Sequence, residues 1–361
     1  METVNILGLD IGGANTKAAL IKFRDSEVFE SYSVIEYFPF WEKTLNDIPK
    51  LFKEIVEILI IKNHSKLEDI NFISITITAE LSDAFQTKRE GILTILNGLE
   101  QVFEKEKMFF INNKNEFINF NQVKSDPITI AAANWVSTSL FLGKFVPNCI
   151  LIDAGSTTID IIPILNSLPI AKGKNDIERM INHELVYTGG LRATIPSITH
   201  FVPYNGKMVR ISFEKFALIS DVHRVLANIS ETEYINDTAD NRSKSLNDCY
   251  ARLARMICMD LDSISTEDLD IIAQYIYDKE IKLVIKEILE FLKGLAIRQP
   301  DFNKNPRFIL TGLSADFLIK PALKEIGYEK ILKYELITDI PDQISSSAFA
   351  VAGAFHLQLK D

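Results

Sequence analysis

The chain has 361 residues, 47% of them hydrophobic, which is enough to bury a large core, and its length favours two domains over one. Its 39 Lys and Arg residues against 49 Asp and Glu residues give a formal charge of −10, which disfavours nucleic acid as the main partner. The longest apolar runs, such as 55–61, are too short to span a bilayer, and no signal-like segment opens the sequence. We therefore expect a cytoplasmic protein with no membrane partner.

The N-terminal stretch predicts a strand, a tight turn and a second strand. An apolar run ends at Asp10, and a returning apolar run follows Lys17. A turn of small residues lets backbone N–H groups and hydroxyls close around an anion such as a phosphate. The turn residues singled out for this role are Gly12, Gly13, Asn15 and Thr16.

The same pattern recurs about half a chain later. An apolar strand ends at Asp153, and an alternating strand that contains Asp160 follows the turn. A Gly-Ser-Thr sequence also forms ordinary β-turns, but a second copy with the same order of features makes chance a poor explanation. The second turn consists of Gly155, Ser156, Thr157 and Thr158.

The remaining periodicity predicts alternating strands and helices around a different central block. Predicted helices cover 48–63, 91–105, 126–142, 315–327 and 345–357, and predicted strands cover 71–79, 108–111, 308–314 and 333–338. The block 196–300 is predicted to be a mainly helical insertion, with helices at 246–261 and at 266–298, the latter with a break. This pattern predicts a first domain at 1–147 and a second at 148–344, with helix 345–361 packing back on the first. The apolar helices at 246–298 could pack within the chain or across a homodimer.

Two such hairpins, a later strand ending in Thr311-Gly312 and a closing Ala/Gly-rich helix together resemble the superfamily of sugar and acetate kinases, heat-shock chaperones and actin. The resemblance covers nearly the whole chain. It implies an α/β fold of two ribonuclease-H-like halves around a cleft, with Asp10 and Asp153 at the cleft floor.

A narrower resemblance rests on five motifs in order. They are GLDIGGANTK at 8–17, TAELSD at 78–83 with TKREG at 87–91, ANW at 133–135, DAGSTTIDIIP at 153–163 and ELVYTG at 184–189, and RLARMIC at 252–258 adds to them. They are similar to the archaeal and methylotroph family labelled hydantoinase-like or tetrahydromethanopterin-linked C1 transfer pathway protein. Its assigned members are methanofuran-biosynthesis synthases. This implies a transferase that condenses 5-(aminomethyl)-3-furanmethanol diphosphate with γ-glutamyltyramine to an aryl ether and releases diphosphate.

Under that resemblance, Asp10 and Asp153 are the candidate Mg²⁺ ligands, although turn-capping aspartates are the alternative. The two turns would bind phosphate oxygens, helped by Lys17, Lys88 and Arg89, although the last two could equally be a solvated helix start. Asp160 and Glu80 compete as general base for the phenol. The acceptor pocket would be shaped by residues around His183 and Glu184, with core packing as the alternative; its other residues are Tyr187 and Gly189, with Arg192 or Arg252 as an anchor for the acceptor tail.

One departure from the kinase pattern bears on nucleotide binding. Such kinases usually present paired glycines where this chain has Thr311-Gly312-Leu313-Ser314, and Leu313 would crowd a nucleotide base. ATP is therefore a doubtful substrate. The alternative functions are an ATP-dependent small-molecule kinase or a hydantoinase-like hydrolase of the same fold. A nucleotide-gated binding protein is a third class, which the small helical insertion disfavours.

Overall fold

The computed structural model describes residues 3–24, 27–302, 304–341 and 345–360. The predicted domains and terminal helix include a few residues outside these ranges, namely 1, 2, 25, 26, 303, 342–344 and 361. The contacts divide the chain into two units. Unit 1 comprises Met1–Cys149, Ile162–Glu178 and Tyr334–Asp361, and unit 2 comprises Ile150–Ile161 and Arg179–Lys333.

Strands and helices alternate along most of the chain. The strands are β1 (Thr3–Ile11), β2 (Asn15–Arg24), β3 (Glu27–Tyr37), β4 (Phe72–Ile77), β5 (Met108–Ile111), β6 (Phe117–Asn119), β7 (Cys149–Ala154), β8 (Ile159–Leu165), β9 (Leu168–Pro169), β10 (Leu185–Val186), β11 (Phe201–Tyr204), β12 (Lys207–Arg210), β13 (Phe308–Thr311) and β14 (Ile331–Lys333). The helices are α1 (Ile48–Lys62), α2 (Lys88–Leu99), α3 (Phe120–Ser125), α4 (Asn134–Phe145), α5 (Asp176–Ile181), α6 (Ile195–Ile198), α7 (Ile219–Val225), α8 (Leu246–Arg255), α9 (Thr266–Arg298), α10 (Lys320–Glu325), α11 (Tyr334–Thr338) and α12 (Ser346–Gln358).

The sheet of unit 1 has the strand order β3-β2-β1-β4-β5-β6. Strands β1, β2 and β3 form an antiparallel meander, whereas β4 and β5 run parallel to β1. Apolar residues of β1, β4, α1 and α2 share one hydrophobic core. Helix α12 packs against β1, β2, β4 and α4 and is buried continuously from Ala348 to His356, as expected for a helix that is apolar on every side.

The sheet of unit 2 repeats this arrangement in the order β10-β8-β7-β13-β14. Strand β13 runs parallel to β7 and β14 parallel to β13, while β10 is antiparallel to β8. In each sheet the first strand of the hairpin, β1 or β7, therefore also pairs in parallel with a later strand, β4 or β13. A further parallel strand, β5 or β14, follows at the far side. This strand order is the ribonuclease-H-like arrangement, and it confirms the predicted α/β class with two such halves.

The predicted insertion is mainly helical, with one short hairpin of β11 and β12. Its core combines α6, α7, α8 and the first half of α9. Helix α9 is continuous over 33 residues, so the predicted break in it is wrong. The Ser265 hydroxyl accepts a hydrogen bond from the backbone N–H of Asp268 at 3.1 Å and so caps the N-terminus of α9.

Three other predicted elements need correction. Residues 126–142 are not one helix: a 3₁₀ turn at Pro127–Ile130 comes first, and Ala132, with φ of +49°, separates it from α4. Helix α8 ends at Arg255 instead of continuing to residue 261. Residues 334–338 form a helix, α11, and not a strand. Tyr334 and Thr338 are buried one helical turn apart, whereas Leu336 is 80% exposed, which a strand with all three on one face would not allow.

Across the described ranges, no helix combines the length and apolar character needed to cross a bilayer.

Candidate functional site

The first turn lies between β1 and β2 and is closed by a hydrogen bond from Gly12 N to Asn15 O at 3.0 Å. Its carbonyls also accept hydrogen bonds, Ala14 O from Phe38 N at 2.8 Å and Gly13 O from Phe40 N at 3.1 Å. The segment after β3 therefore fixes the conformation of the turn. The Thr16 side chain is fully buried, so a phosphate contact through its hydroxyl would require the turn to open.

Asp10, at the end of β1, is nearly enclosed, with 4% of its surface exposed. Its Oδ2 lies 3.4 Å from Lys17 Nζ and accepts a hydrogen bond from Ser347 Oγ at 2.5 Å. The structure thus joins the predicted pair Asp10 and Lys17 and adds Ser347, which the sequence interpretation missed. The only signal for it was a run of three serines, 345–347, at the start of an apolar helix.

A glycine allows α12 to reach Asp10. A Cβ atom on Gly8 would lie 2.1 Å from the carbonyl oxygen of Ala348, so no other residue fits at this position without displacing the helix. The two small residues therefore set the distance between β1 and the first turn of α12, where Ser347 lies.

The second turn is closed in the same way as the first, by Gly155 N donating to Thr158 O at 2.9 Å. The loop after β10 packs directly on it. Gly189 N donates to Thr157 O at 2.9 Å, and Arg192 N donates to Ser156 O at 3.0 Å. A Cβ atom on Gly189 would lie 2.5 Å from Thr157 N, which excludes larger residues. The structure thus brings Gly189 and Arg192 to the predicted turn through their backbones.

The side chains of the other predicted residues of unit 2 differ in how far they are exposed to solvent. Asp153 is half-buried at the end of β7, while the side chains of Tyr187 and Arg192 are exposed. Ser314, after β13, donates its hydroxyl to the carbonyl oxygens of Ala154 and Gly155 at 3.0 and 3.1 Å. Leu313 packs against a hydrophobic cluster of the insertion.

Glu80 follows β4 and is a buried carboxyl group, 1% exposed. Its Oε2 atom has no hydrogen-bond partner among the described residues. Loss of water raises its pKa from the ordinary 4.5 to about 7; of the two nearby charges, Lys88 lowers the pKa and Asp176 raises it. Lys88 Nζ itself pairs with Asp176 Oδ2 at 2.8 Å, and Arg89 is exposed. Such a carboxyl group can exchange a proton near neutral pH.

Asp160, the other candidate base, is held in a buried ion pair. Its Oδ1 accepts a hydrogen bond from Arg179 Nη1 at 2.7 Å, and Arg179, 2% exposed, also donates to the backbone oxygen of Glu184. Protonation of Asp160 would remove a negative charge that pairs with this buried guanidinium. This arrangement favours a structural role for Asp160.

Three further candidates for the acceptor pocket also make close polar contacts with other side chains. Glu184 is fully buried and pairs with Arg298 at 2.6 Å, and His183 Nδ1 lies 2.7 Å from a carboxylate oxygen of Glu287. The expectation that Arg252 anchors a substrate is wrong. Arg252 is fully buried inside the insertion, where it binds Asp221 and Asp240.

The predicted metal ligands are single carboxylates. Within the described ranges, no three His, Cys, Asp or Glu side chains converge as a metal-binding group. Mg²⁺ commonly uses only one or two protein carboxylates and completes its coordination with water and substrate phosphates. Asp10 and Asp153, each beside a small-residue turn, have the ligand chemistry for that mode of binding.

Two ribonuclease-H-like halves, each with an aspartate-ended strand and a small-residue turn, define the fold class of sugar kinases and actin. Comparison with solved structures agrees: an acetone carboxylase in a nucleotide-free structure aligns with a TM-score of 0.54, 11% identity and coverage of 98% of this chain and 70% of that chain. At this identity the match shows the fold alone.

Sequence comparison is more specific. The hydantoinase/oxoprolinase family model matches residues 72–357. A (4-{4-[2-(gamma-L-glutamylamino)ethyl]phenoxymethyl}furan-2-yl)methanamine synthase of Methanocaldococcus jannaschii is 32% identical over 99% of both chains. The synthase of the same name from Methanococcus vannielii is 35% identical over 50% of this chain and 76% of its own length. The chain therefore belongs to this synthase family, a branch of the hydantoinase/oxoprolinase proteins, and the names of its relatives are those of enzymes.

Proposed function

We propose that this protein is a transferase that joins a furan diphosphate, 5-(aminomethyl)-3-furanmethanol diphosphate, to γ-glutamyltyramine. The end-to-end similarity to the M. jannaschii synthase carries the proposal, because the name of that enzyme describes a product with a γ-glutamylaminoethyl-phenoxymethyl-furan skeleton. In the reaction, the phenol oxygen bonds to the furanylmethyl carbon, and the bond from that carbon to the diphosphate oxygen breaks. Diphosphate leaves, and the phenol proton passes to a base.

The two small-residue turns are the proposed binding elements for the diphosphate. Backbone N–H groups of such turns favour phosphate oxygens, and Lys17 adds positive charge beside the first turn. Lys88 contributes less positive charge to the diphosphate site, because its ammonium group pairs with Asp176. Asp10 and Asp153 would hold Mg²⁺, which would supply charge for the departing diphosphate.

Glu80 is the proposed general base. A phenol has a pKa of about 10, above that of any carboxyl group, so the base accepts the phenol proton only while the new C–O bond is forming. The buried carboxyl group of Glu80 has a pKa of about 7 and an oxygen with no hydrogen-bond partner in the described part of the chain. It is therefore better suited to this role than Asp160, which is paired with Arg179. Asp160 and Glu184 instead hold the strand and loop that support the second turn.

The direct test supplies the purified protein with the furan diphosphate, γ-glutamyltyramine and Mg²⁺ without nucleotide. We expect one diphosphate to be released for each ether formed, and mass spectrometry would detect the ether. Glu80→Gln should lower kcat by about 10²–10⁴-fold, the usual contribution of a general base, whereas the exposed Glu54→Gln should not. Failure to form ether, with turnover appearing only after ATP is added, would contradict the proposal and favour a kinase of the same fold.

A further inference from the structure

Unit 1 contains a cavity of about 450 Å³, within the size range of small-molecule binding sites. Four aromatic side chains line it: Phe38, Phe40, Trp41 and Phe85. Phe38 and Phe40 pack edge to face with ring centroids 5.0 Å apart, and Phe85 lies 6.0 Å from Phe40. Edge and face contacts of this kind favour an aromatic ligand ring over an aliphatic one.

The wall of this aromatic cavity is attached to the first turn. Phe38 and Phe40 donate their backbone N–H groups to the carbonyls of Ala14 and Gly13. A ligand that packs on this aromatic wall therefore lies beside the first turn, which is proposed to bind the diphosphate.

The backbone of the proposed base, Glu80, packs near one side of the cavity wall. Gly91 separates the two: a Cβ atom on Gly91 would lie 2.8 Å from Glu80 Cα and 2.9 Å from Phe85 Cδ2. The first turn, the backbone at Glu80 and the aromatic wall thus belong to one packed region of unit 1.

Two side chains of opposite charge, Lys43 and Glu90, also line the cavity. Both residues are exposed to solvent, and one oxygen of Glu90 already accepts a hydrogen bond from Gln86 N at 2.9 Å. One cation and one anion complement a zwitterion. They do not complement a diphosphate ester, whose negative charges would meet Glu90 as well as Lys43.

Given the proposed function, we propose that the aromatic cavity is the acceptor site, with the phenol ring of γ-glutamyltyramine packed against its aromatic lining. Lys43 binds the α-carboxylate of the γ-glutamyl group, and Glu90 binds its α-ammonium group. Lys43 is then a specificity-determining residue that distinguishes γ-glutamyltyramine from tyramine, which lacks the carboxylate.

The kinetic test compares Lys43→Gln with Lys53→Gln, a change of the same charge at an exposed position of α1 that does not line the cavity. We expect Lys43→Gln to raise KM for γ-glutamyltyramine about tenfold, the loss of one charge-assisted hydrogen bond. The kcat, KM for the furan diphosphate and kcat/KM for tyramine should stay at wild-type values. Equal effects on both acceptors, or none, would overturn the acceptor-site proposal.

A binding test without turnover separates this proposal from the proposed function. The chain has two tryptophans; Trp135 is buried, with 4% exposure, whereas Trp41 lines the cavity and is 36% exposed. γ-Glutamyltyramine alone should change the tryptophan fluorescence of the wild-type protein, and Trp41→Phe should abolish the change. Binding without ether formation would retain the cavity and refute the reaction. Ether formation with no response from Trp41, and with Lys43→Gln unaltered, would refute the cavity and retain the reaction.

Discussion

Burial of Glu80 makes the free energy of unfolding depend on pH, and Glu80→Gln should remove that dependence. The folded pKa of about 7 lies above the ordinary 4.5 of the unfolded chain. Below pH 4.5 the carboxyl group is protonated in both states, so its favourable contribution is complete. As pH rises through 7, the unfolded chain has already released the proton while the folded protein must ionise a buried group, and stability is lost. At about 1.4 kcal/mol per pKa unit, the full loss is about 3 kcal/mol.

His356 has the opposite dependence in nearly the same range. Its ring stacks on Phe23 with centroids 3.8 Å apart, and burial lowers its pKa from 6.5 to about 4. Because the folded pKa is lower than the unfolded one, its contribution is complete above pH 6.5 and is lost as pH falls towards 4. The two groups offset each other in the wild-type protein. Only the difference between wild type and Glu80→Gln at each pH isolates the carboxyl group.

Urea unfolding at about pH 5 and about pH 8 measures that difference. From about pH 5 to about pH 8, the free energy of unfolding of Glu80→Gln should rise by roughly 2–3 kcal/mol relative to that of wild type, because most of the titration of Glu80 lies between these two pH values. Glu54→Gln on the exposed face of α1 is the control and should show no such gain. A difference between wild type and Glu80→Gln that is the same at both pH values would refute the reasoning, since Glu80 would then titrate as a solvated carboxyl group.

Three further changes test the structure around the site. Asp160→Asn should cost about 3–5 kcal/mol in urea unfolding by removing the carboxylate charge that pairs with the buried Arg179, and adding Arg179→Met should recover most of that loss. Ser347→Ala should destabilise by about 2 kcal/mol and raise KM for the diphosphate substrate, while Ser347→Thr, which keeps the hydroxyl, should not; equal effects of both would argue against a role for the hydroxyl. Gly91→Ala should lower stability by about 1–3 kcal/mol through overpacking, whereas Gly294→Ala, where a Cβ meets nothing, should raise it by about 0.5–1 kcal/mol; a thermal melt of both variants checks the contrast.

Local features of the fold are predictable from the sequence, and long-range ones come only through family resemblance. The two hairpins carry their own signals, apolar alternation and small-residue turns, and the structure confirms both. Alternation misled at Tyr334–Thr338, because Tyr334 hydrogen-bonds the backbone of Thr138 from a helix, a tertiary contact that no local pattern encodes. The positive φ of Ala132 is likewise invisible in an Ala-rich run.

The same distinction applies to the candidate site. An aspartate inside an apolar strand predicts that Asp160 is either hydrogen-bonded or functional, and the sequence does not identify Arg179 as its partner. The contact of Ser347 with Asp10 joins residues at opposite ends of the chain, and the aromatic cavity draws on segments before α1 and after β4. The roles of Asp10, Asp153 and the turn residues as ligands of metal and phosphate stay predictions.

The position of α12 has a consequence for synthesis on the ribosome. This helix covers β1 and α4 of unit 1, yet it is translated after the whole of unit 2. A nascent chain therefore carries an uncovered apolar face, including Phe141, until Gly353 and its neighbours emerge from the exit tunnel. Unit 1 therefore completes its folding only after unit 2 has been translated, and a nascent chain that still lacks α12 exposes apolar surface that favours aggregation.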